Sequence, residues 1–316
     1  MAAERARDSE GSGMEPLRSG DPAQVGAYRL VARLGAGGTG RVYLGHDSSG
    51  DLVAIKVVHA HIAHRQDRRD RFAREIAAVR GIDPAYIAPV VDHDMSAAEP
   101  WLATAYLRGP TLQQMVELRG PLAGPSVRVL GAALAKALAA IHRAGVLHRD
   151  LKPSNLVLAP DGPRVVDFGI ARPDGADTIT APGSLLGTPG YIPPERIRLR
   201  NSGPEGDVFA FGAVLVYAGT GEGPFGTGSV PSLLYRTQFE EPRLDALRAA
   251  LDDPRLTEII VSCLAREPGW RPTAEQLVGR FTEAPDPGYA PRLPDEAAVR
   301  VTDPDGRRWA PHTRGS

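Results

Sequence analysis

The stretch from His148 to Gly169, HRDLKPSNLVLAPDGPRVVDFG, constrains this chain more than any other part of it. Within a short span it holds an acid, a lysine, an amide and a second acid, namely Asp150, Lys152, Asn155 and Asp167. Side chains of these types can orient a hydroxyl, neutralise phosphate charge and hold a divalent cation. The stretch therefore predicts phosphoryl-transfer chemistry.

Composition limits the class of protein. The chain has 316 residues, 42% of them hydrophobic, which is enough for one large domain or two lobes. Its net charge of −1 gives no bulk attraction to nucleic acid or anionic membranes. Cys263 is the single cysteine, and the sequence has neither a signal peptide nor an apolar run of about 18 residues. We predict a soluble cytoplasmic protein with no nucleic-acid partner and no membrane span.

Hydrophobic periodicity predicts a β-rich part followed by a helical part. From Tyr28 onwards the runs YRLVARL, RVYLGHD, LVAIKVV, IAPVVDHDM and PWLATAYL predict strands. Residues 67–80 place Phe72, Ile76 and Val79 on one face of an amphipathic helix. After Leu112 the pattern predicts a short helix, a long one over about 125–144, a buried one at DVFAFGAVLVYAGT, and two near 255–266 and 273–281.

The two ends lack such periodicity. Residues 1–27 are rich in Gly, Ser, Ala and charge, and predict a flexible leader. Residues 282–316 are rich in proline and charge, and predict a disordered tail.

A glycine-rich segment, LGAGGTGRV at residues 34–42, lies between two predicted strands. Its glycines let the main chain approach a phosphate closely and direct amides towards it. A glycine-rich hairpin with no ligand would have the same composition, so the motif alone is weak. A dinucleotide fingerprint needs a helix after the glycines, whereas a strand follows here, as in protein kinases.

The VAIK segment, residues 53–56, places Lys56 in an apolar strand. A lysine in such a strand usually faces solvent. Glu75 on the following helix could pair with Lys56 and hold its ammonium against the α and β phosphates of a nucleotide. An ordinary solvated helix charge is the alternative interpretation of Glu75.

Together these motifs resemble the eukaryotic-like serine/threonine protein kinases, including those of bacteria, over roughly residues 28–281. The matching pieces are LGAGGTGRV, VAIK, Glu75, HRDLKPSN, DFG, PPE, DVFAFG and RPT, in the family's order. The resemblance implies an α+β, bilobal fold, with a small antiparallel β lobe and one helix over about 28–105 and a larger, mostly helical lobe over about 110–281. It also implies ATP, Mg²⁺ or alternatively Mn²⁺, and protein Ser or Thr acceptors, with a homodimer for autophosphorylation in trans.

The resemblance assigns catalytic and nucleotide-binding roles. Asp150 would orient the substrate hydroxyl, and Lys152 would place positive charge near the transferred phosphoryl group. Asn155 and Asp167 would hold Mg²⁺. Thr104 would be the gatekeeper beside the adenine. Nucleotide contacts would come from Leu34, Gly35, Ala36, Gly37, Gly38, Thr39, Gly40, Arg41, Val42, Ala54, Lys56, Glu75, Ala105, Leu107 and Val157.

The loop between Asp167 and Glu195 resembles the family's activation segment. Arg149 would pair with a phosphate on this loop, for which Thr178 and Thr180 are the best acceptors and Ser184 a weaker one. Thr188 would line the substrate pocket and contact Asp150 or Lys152.

Three residues resemble the architectural residues of the family. Glu195 of PPE would form a buried ion pair with Arg271, and Pro193 is a mild departure from the more usual alanine. Asp207 would cap the helix that it begins and brace the catalytic loop. We predict that His59, His61 and His64 lie in a solvated loop, and that Cys263 is buried and inert.

Two alternatives to an active protein kinase remain. A pseudokinase would lack the lysine or a metal-binding acid, and Lys56, Glu75, Asp150, Asn155 and Asp167 are all present. A small-molecule phosphotransferase of related fold would generally lack the HRDLKP, PPE and RPT segments.

Overall fold

The computed structural model describes residues 14–59, 66–167, 187–198 and 202–282. The chain divides into two compact units. Among the described residues, the first contains those up to Asp70 together with Pro89–Gly109, and the second contains Arg71–Ala88 and those from Pro110 to Thr282. The first unit is built on a sheet and the second mainly on helices. The predicted α+β class is therefore confirmed.

The first unit holds an antiparallel sheet with the strand order β1-β2-β3-β4-β6-β5. All five strands predicted from the sequence are present in it. Its strands are β1 (Gln24–Val25), β2 (Tyr28–Gly37), β3 (Gly40–His46), β4 (Leu52–Val58), β5 (Val90–Asp94) and β6 (Trp101–Ala105).

One face of this sheet carries an apolar core. Alternate residues of β3, β4 and β6, such as Tyr43, Ile55 and Ala103, are completely buried there, as the period of two in a strand requires. Tyr28 and Trp101 meet edge to face with ring centroids 5.9 Å apart.

Residues 14–27 pack on this sheet, contrary to the predicted flexible leader. Leu17 and Val25 lie against the apolar core, and β1 pairs with β2. Asp21 accepts hydrogen bonds from Arg33 Nε at 2.6 Å and Tyr43 Oη at 2.8 Å. The hydrogen bond from Arg33 holds the pKa of the Asp21 carboxyl well below its usual range. Polar contacts therefore attach the segment, which hydrophobic periodicity could not indicate; residues 1–13 lie outside the described part.

Helix α1 (Gln66–Val79) buries Phe72, Ile76 and Val79, the three positions predicted for its apolar face. The sequence placed this helix wholly in the β lobe. From Arg71 onwards, however, its residues group with the second unit, where Ala88 N donates to Val165 O at 3.0 Å.

Besides the larger part of α1, the second unit contains eight described α-helices and a two-stranded sheet. The sheet pairs β7 (Leu156–Ala159) with β8 (Gly162–Val165). The sequence did not predict α4, α6 and α7. The helices are α2 (Leu112–Arg119), α3 (Gly124–Arg143), α4 (Pro194–Ile197), α5 (Pro204–Thr220), α6 (Val230–Phe239), α7 (Asp245–Leu251), α8 (Pro254–Cys263) and α9 (Ala274–Thr282).

Helices α3, α5 and α9 form the centre of this unit. The apolar α5 is buried along almost its whole length, as its sequence predicts. Helix α9 approaches α3 so closely that a Cβ on Gly131 would lie 2.5 Å from the Phe281 ring. By length and composition α3 could cross a membrane, but 56% of its most apolar stretch is buried inside the protein, as expected for a core helix.

Cys263 on α8 is fully buried, and its thiol donates to Ile259 O at 3.3 Å. Burial raises the pKa of this thiol to about 12. The side chain is therefore protonated and unreactive at neutral pH, as the sequence predicts.

Candidate active site

Asp207 on α5 braces the loop that carries Asp150. Its carboxylate accepts hydrogen bonds from the main-chain amides of His148 and Arg149, both at 2.8 Å, and contacts His142 Nε2 at 3.0 Å. Burial would raise the pKa of Asp207, but the hydrogen bond and charge of His142, together with His148, outweigh it and lower the pKa. A buried carboxylate thus fixes the start of the loop.

The same carboxylate does not cap its helix. Helix α5 begins at Pro204 with Gly203 as N-cap, so Asp207 lies inside the first turn and its oxygens point to the loop. The predicted capping role is therefore wrong. Arg149 has a positive φ of 60°, a backbone conformation that non-glycine residues seldom adopt. The amide bonds to Asp207 help hold the loop in that conformation.

Asp150 contacts two other predicted site residues. Lys152 Nζ is 3.1 Å from Asp150 Oδ2, and Asn155 Nδ2 donates to the Asp150 carbonyl at 2.9 Å. Asp150 is 9% exposed and Asn155 is 5% exposed, so the loop presents them from a fixed and shielded position. This geometry suits a carboxylate that orients a hydroxyl next to a cationic side chain.

His148 connects this loop to the end of β8. Its ring is completely buried, with Nε2 at 3.3 Å from Val166 O and Nδ1 accepting from the Asp150 amide at 3.3 Å. Burial lowers the pKa of His148, although the charges of Asp207, Asp150 and Asp167 oppose this effect. The imidazole is therefore a neutral structural support at physiological pH.

The residues predicted to hold a metal fit a hard divalent cation. Asn155 uses its amide nitrogen to bind Asp150, which leaves its side-chain oxygen available as a ligand. The Val166 amide donates to Asn155 O at 2.9 Å, and this bond brings the chain just before Asp167 to the catalytic loop. An amide oxygen and a carboxylate are ligands that Mg²⁺ and Mn²⁺ accept, with phosphates and water completing the shell.

Glu75 on α1 is held by two arginines of the second unit. Its Oε1 lies 3.0 Å from Arg149 Nη1 and 3.0 Å from Arg71 Nε. The side chains of Glu75 and Arg149 are only 15% and 12% exposed. The two residues that the sequence assigned to different partners are thus paired with each other, and the predicted pairing of Glu75 with Lys56 stays a prediction.

A buried ion pair joins α4 to the chain just before α9. Arg271 Nη1 and Nη2 each donate to one carboxylate oxygen of Glu195 at 2.8 Å, which is the pair the sequence predicted. Next to Glu195, Arg196 Nη1 donates to the Arg149 carbonyl at 2.7 Å. Arg196 and His142 therefore also support the loop. No sequence feature singled them out, because each acts through a contact distant in the chain.

In the first unit, four predicted nucleotide-site residues share one face of the sheet. Val42 on β3 is opposite Lys56 on β4, and Ala54 is opposite Thr104 on β6. Directly opposed residues face the same side, and Ala54 and Lys56 are two residues apart on one strand. All four are half-buried and lie on the face away from the Tyr43 and Ile55 core.

The glycine-rich hairpin contains two kinds of glycine: one that the packing of the sheet requires, and others whose Cβ positions are open. β2 and β3 meet at the Gly37–Gly40 pair. A Cβ on Gly40 would lie 2.2 Å from Val57 O, so the sheet itself requires this glycine. Cβ atoms on Gly35, Gly37 or Gly38 would contact nothing within 4 Å. Packing does not explain these three glycines, whereas close approach of a phosphate does.

Some of the remaining predicted residues lie in the described part of the chain, and the others lie outside it. Ala105 ends β6 and donates its amide to Pro89 O, whereas no described group accepts a main-chain hydrogen bond from Leu107. Val157 is buried on β7, and Thr188 is half-buried with its carbonyl bound to the Tyr191 amide. The contacts predicted for these four residues stay predictions. His61, His64, Thr178, Thr180 and Ser184 lie outside the described residues.

Residues 28–280 match the family described as protein kinase domain. The match covers most of the chain, and the chain therefore belongs to the protein kinase family. Its relatives place it among the bacterial serine/threonine protein kinases.

Two relatives illustrate the relationship. The chain is 44% identical over 269 residues to the protein named probable serine/threonine-protein kinase PkwA of Thermomonospora curvata, covering 85% of this chain and 36% of the relative. It is 39% identical over 302 residues to serine/threonine-protein kinase AfsK of Streptomyces coelicolor, covering 93% of this chain and 37% of the relative. The chain thus spans just over a third of the length of these two proteins.

The fold has a close counterpart among solved structures. The kinase domain of Mycobacterium tuberculosis PknI superposes with a TM-score of 0.64 at 25% identity, covering 84% of this chain and 98% of that domain. The predicted kinase fold is therefore confirmed.

Proposed function

We propose that the whole protein uses ATP to phosphorylate serine and threonine hydroxyls of proteins, in the cytoplasm. The observation that carries this proposal is the loop geometry: Asp150 lies 3.1 Å from Lys152 on a loop that the buried Asp207 braces. Asp150 accepts the hydrogen bond of the incoming hydroxyl and aims its oxygen at the γ phosphorus. Lys152 balances the charge that develops on the transferred group. Thr188 supports the acceptor hydroxyl beside them.

The nucleotide contacts that we propose are those implied by the kinase family. The amides of residues 34–42 and the ammonium of Lys56 bind its phosphates, while Val42, Ala54 and Val157 contact the base. The Ala105 carbonyl and the Leu107 amide bind the edge of the adenine next to Thr104. Asn155 and Asp167 would hold a divalent cation, for which Mg²⁺ is our proposal and Mn²⁺ a substitute. When bound, that cation neutralises phosphate charge.

The regulation that we propose uses the Glu75–Arg149 ion pair. Phosphorylation of Thr178 or Thr180, by a second copy of the chain within a homodimer, would give Arg149 a stronger dianionic partner. Glu75 would then be released to pair with Lys56. The 3.0 Å contact between Glu75 and Arg149 supports this exchange, because one arginine fork serves both acids in turn.

The catalytic proposal is tested with purified, dephosphorylated chain, labelled ATP, Mg²⁺ and a generic basic protein. We expect the wild type to transfer label. Asp150→Asn should transfer it more slowly by a factor of about 10² to 10⁴, while still binding ATP. Asp161→Asn is the matched control, because this exposed aspartate on the β7–β8 turn pairs only locally with Arg164. Wild type that binds ATP but labels neither itself nor any protein would contradict the proposal and favour a pseudokinase.

The regulatory proposal has its own test. Phosphosite mapping of active protein should find Thr178 or Thr180 occupied, and the double alanine variant should lose the activation that ATP preincubation gives. Arg149→Gln should make the activity insensitive to phosphatase treatment. Unchanged activity of the double alanine variant would remove these threonines from the regulation.

A further inference from the structure

The turn between α5 and α6 brings two arginine head groups to one point. This turn, GEGPFGTGS at residues 221–229, has Gly226 and Gly228 at positive φ values of 69° and 146°. A Cβ on Gly226 would lie 2.9 Å from Arg243 Nη1 and 3.8 Å from Arg236 Nη1. Arg236 Nη2 also donates to Thr227 O at 2.6 Å. Because both guanidinium groups lie within 3.8 Å of one point, a single small anion can contact both.

Neither arginine has a carboxylate partner among the described residues. Other arginines of this region do: Arg248 pairs with Asp245 at 3.0 Å and Arg266 with Glu241 at 3.3 Å. In addition, Arg236 Nε is buried with no hydrogen-bond partner in the described part of the chain.

Two converging cations repel each other, and an anion between them removes this repulsion. Phosphoryl oxygens suit this geometry best, because a guanidinium binds them through two parallel hydrogen bonds. The arrangement therefore favours a phosphate-type ligand.

An exposed aromatic pair lies on α6, the helix that carries Arg236. Tyr235 and Phe239 are one helical turn apart, 59% and 57% exposed, with ring centroids 5.0 Å apart. Exposed large apolar side chains in a group are typical of protein-binding surfaces. A free inorganic anion would leave both rings in water, whereas a protein segment that carries the anion would cover them.

We propose that α6 and the 221–229 turn bind a protein segment carrying a phosphorylated serine or threonine. The phosphoryl group lies between Arg236 and Arg243, and an apolar side chain of the same segment packs on Tyr235 and Phe239. The two cations, which have no carboxylate partner in the described part of the chain, provide the charge complementarity that selects this occupant. The site uses none of the residues assigned to catalysis, so it stands independently of the transfer activity.

The test measures binding to the dephosphorylated full chain without ATP. The probes are two fluorescein-labelled pools of nine-residue peptides, identical except for phosphoserine or serine at the centre. We expect the phosphorylated pool to bind at least tenfold more tightly, and Arg243→Gln to abolish this preference. Arg143→Gln is the control: it removes another exposed positive charge, from α3, where the arginine pairs with Glu275, and should keep the preference.

Further measurements separate the alternatives. The Nε–Hε NMR signals of Arg236 and Arg243 should shift when the phosphorylated pool is added, and Arg236→Lys should weaken binding if the planar fork matters. Phe239→Ala should weaken binding of the phosphopeptides but not of inorganic phosphate. Equal binding of the two pools, or a preference that survives Arg243→Gln, overturns the proposal. If inorganic phosphate binds as tightly as the phosphopeptides, the ligand is a free anion and not a protein segment.

Discussion

At the scale of single residues, burial decides what an ion pair contributes. Arg271 is completely shielded, and its guanidinium also donates to the carbonyls of Ala265, Glu205 and Arg266. Removing one partner from such a pair leaves a charge in a low-dielectric environment. Arg143 and Glu275 form a 2.6 Å pair on the surface, where water and salt screen both charges. The two pairs have similar distances and very different energetic roles.

We therefore predict that Glu195→Gln lowers the free energy of unfolding by about 3 to 5 kcal/mol, since it leaves Arg271 buried without its counter-charge. Glu275→Gln is the matched surface control and should cost less than about 1 kcal/mol. Urea unfolding followed by circular dichroism measures both. An equal decrease in the free energy of unfolding for the two variants would show that the buried pair contributes no more to stability than the surface pair.

At the scale of elements, the glycine-rich hairpin combines two requirements that have the same appearance in sequence. Gly40 is needed because β4 lies against it, whereas Gly35, Gly37 and Gly38 have open space at their Cβ positions. Only the contacts between strands separate a glycine needed for packing from one left for a ligand. This distinction can be tested one glycine at a time.

We predict that Gly40→Ala destabilises the protein, because the new methyl group would collide with Val57 O. Gly37→Ala should leave the melting temperature within about 2 °C of the wild type, but should raise the KM for ATP. Thermal melts and ATP titrations of both variants provide the test. If Gly37→Ala unfolds the protein, or leaves the KM unchanged, the phosphate-loop interpretation is wrong.

The segment before β2 is a second element whose role depends on tertiary contacts. Asp21 is inaccessible to solvent and binds Arg33 and Tyr43. We predict that Asp21→Asn lowers the melting temperature by several degrees, because it removes the negative charge from a shielded ion pair. Asp51→Asn, at an exposed turn, should change it little. Identical melting temperatures would show that this segment adds nothing to the stability of the sheet.

At the scale of the whole molecule, buried ionisable groups link stability to pH. The pKa of His148 is lowered by burial, so the folded chain keeps this ring neutral where the unfolded chain protonates it. Below about pH 6.5, the usual histidine value, the unfolded state therefore binds more protons than the native state. The free energy of unfolding must fall as the pH falls through this range, until the pH reaches the pKa of the folded state.

We predict that the wild type loses stability between pH 7.5 and pH 5, and that His148→Phe loses less over the same range. Urea unfolding at several pH values measures the two slopes. The lowered pKa of Asp207 adds a contribution that is complete above the usual aspartate value of about 3.9 and is lost at more acidic pH. Parallel slopes for wild type and variant would exclude His148 as the source.

Several features could be predicted from the sequence alone because they depend on local order. The strands of the sheet follow from alternation, and α1, α3 and α5 follow from helical periodicity and apolar runs. Helices α6 and α7 were missed because their apolar pattern is weak: on α6 only Thr237 is buried, and its aromatic residues are exposed. The catalytic residues could also be predicted from the sequence, because Asp150, Lys152 and Asn155 are close together both in the chain and in space.

Tertiary structure alone decided how distant residues combine. It paired Glu75 with Arg149, showed that Asp207 braces the catalytic loop without capping its helix, and packed residues 14–27 on the sheet. It also brought Arg236 and Arg243 to one turn without carboxylate partners among the described residues. The physical reason is the same in each case. A hydrophobic pattern records which face of an element is buried, but the partner of a polar group depends on where the chain returns in space.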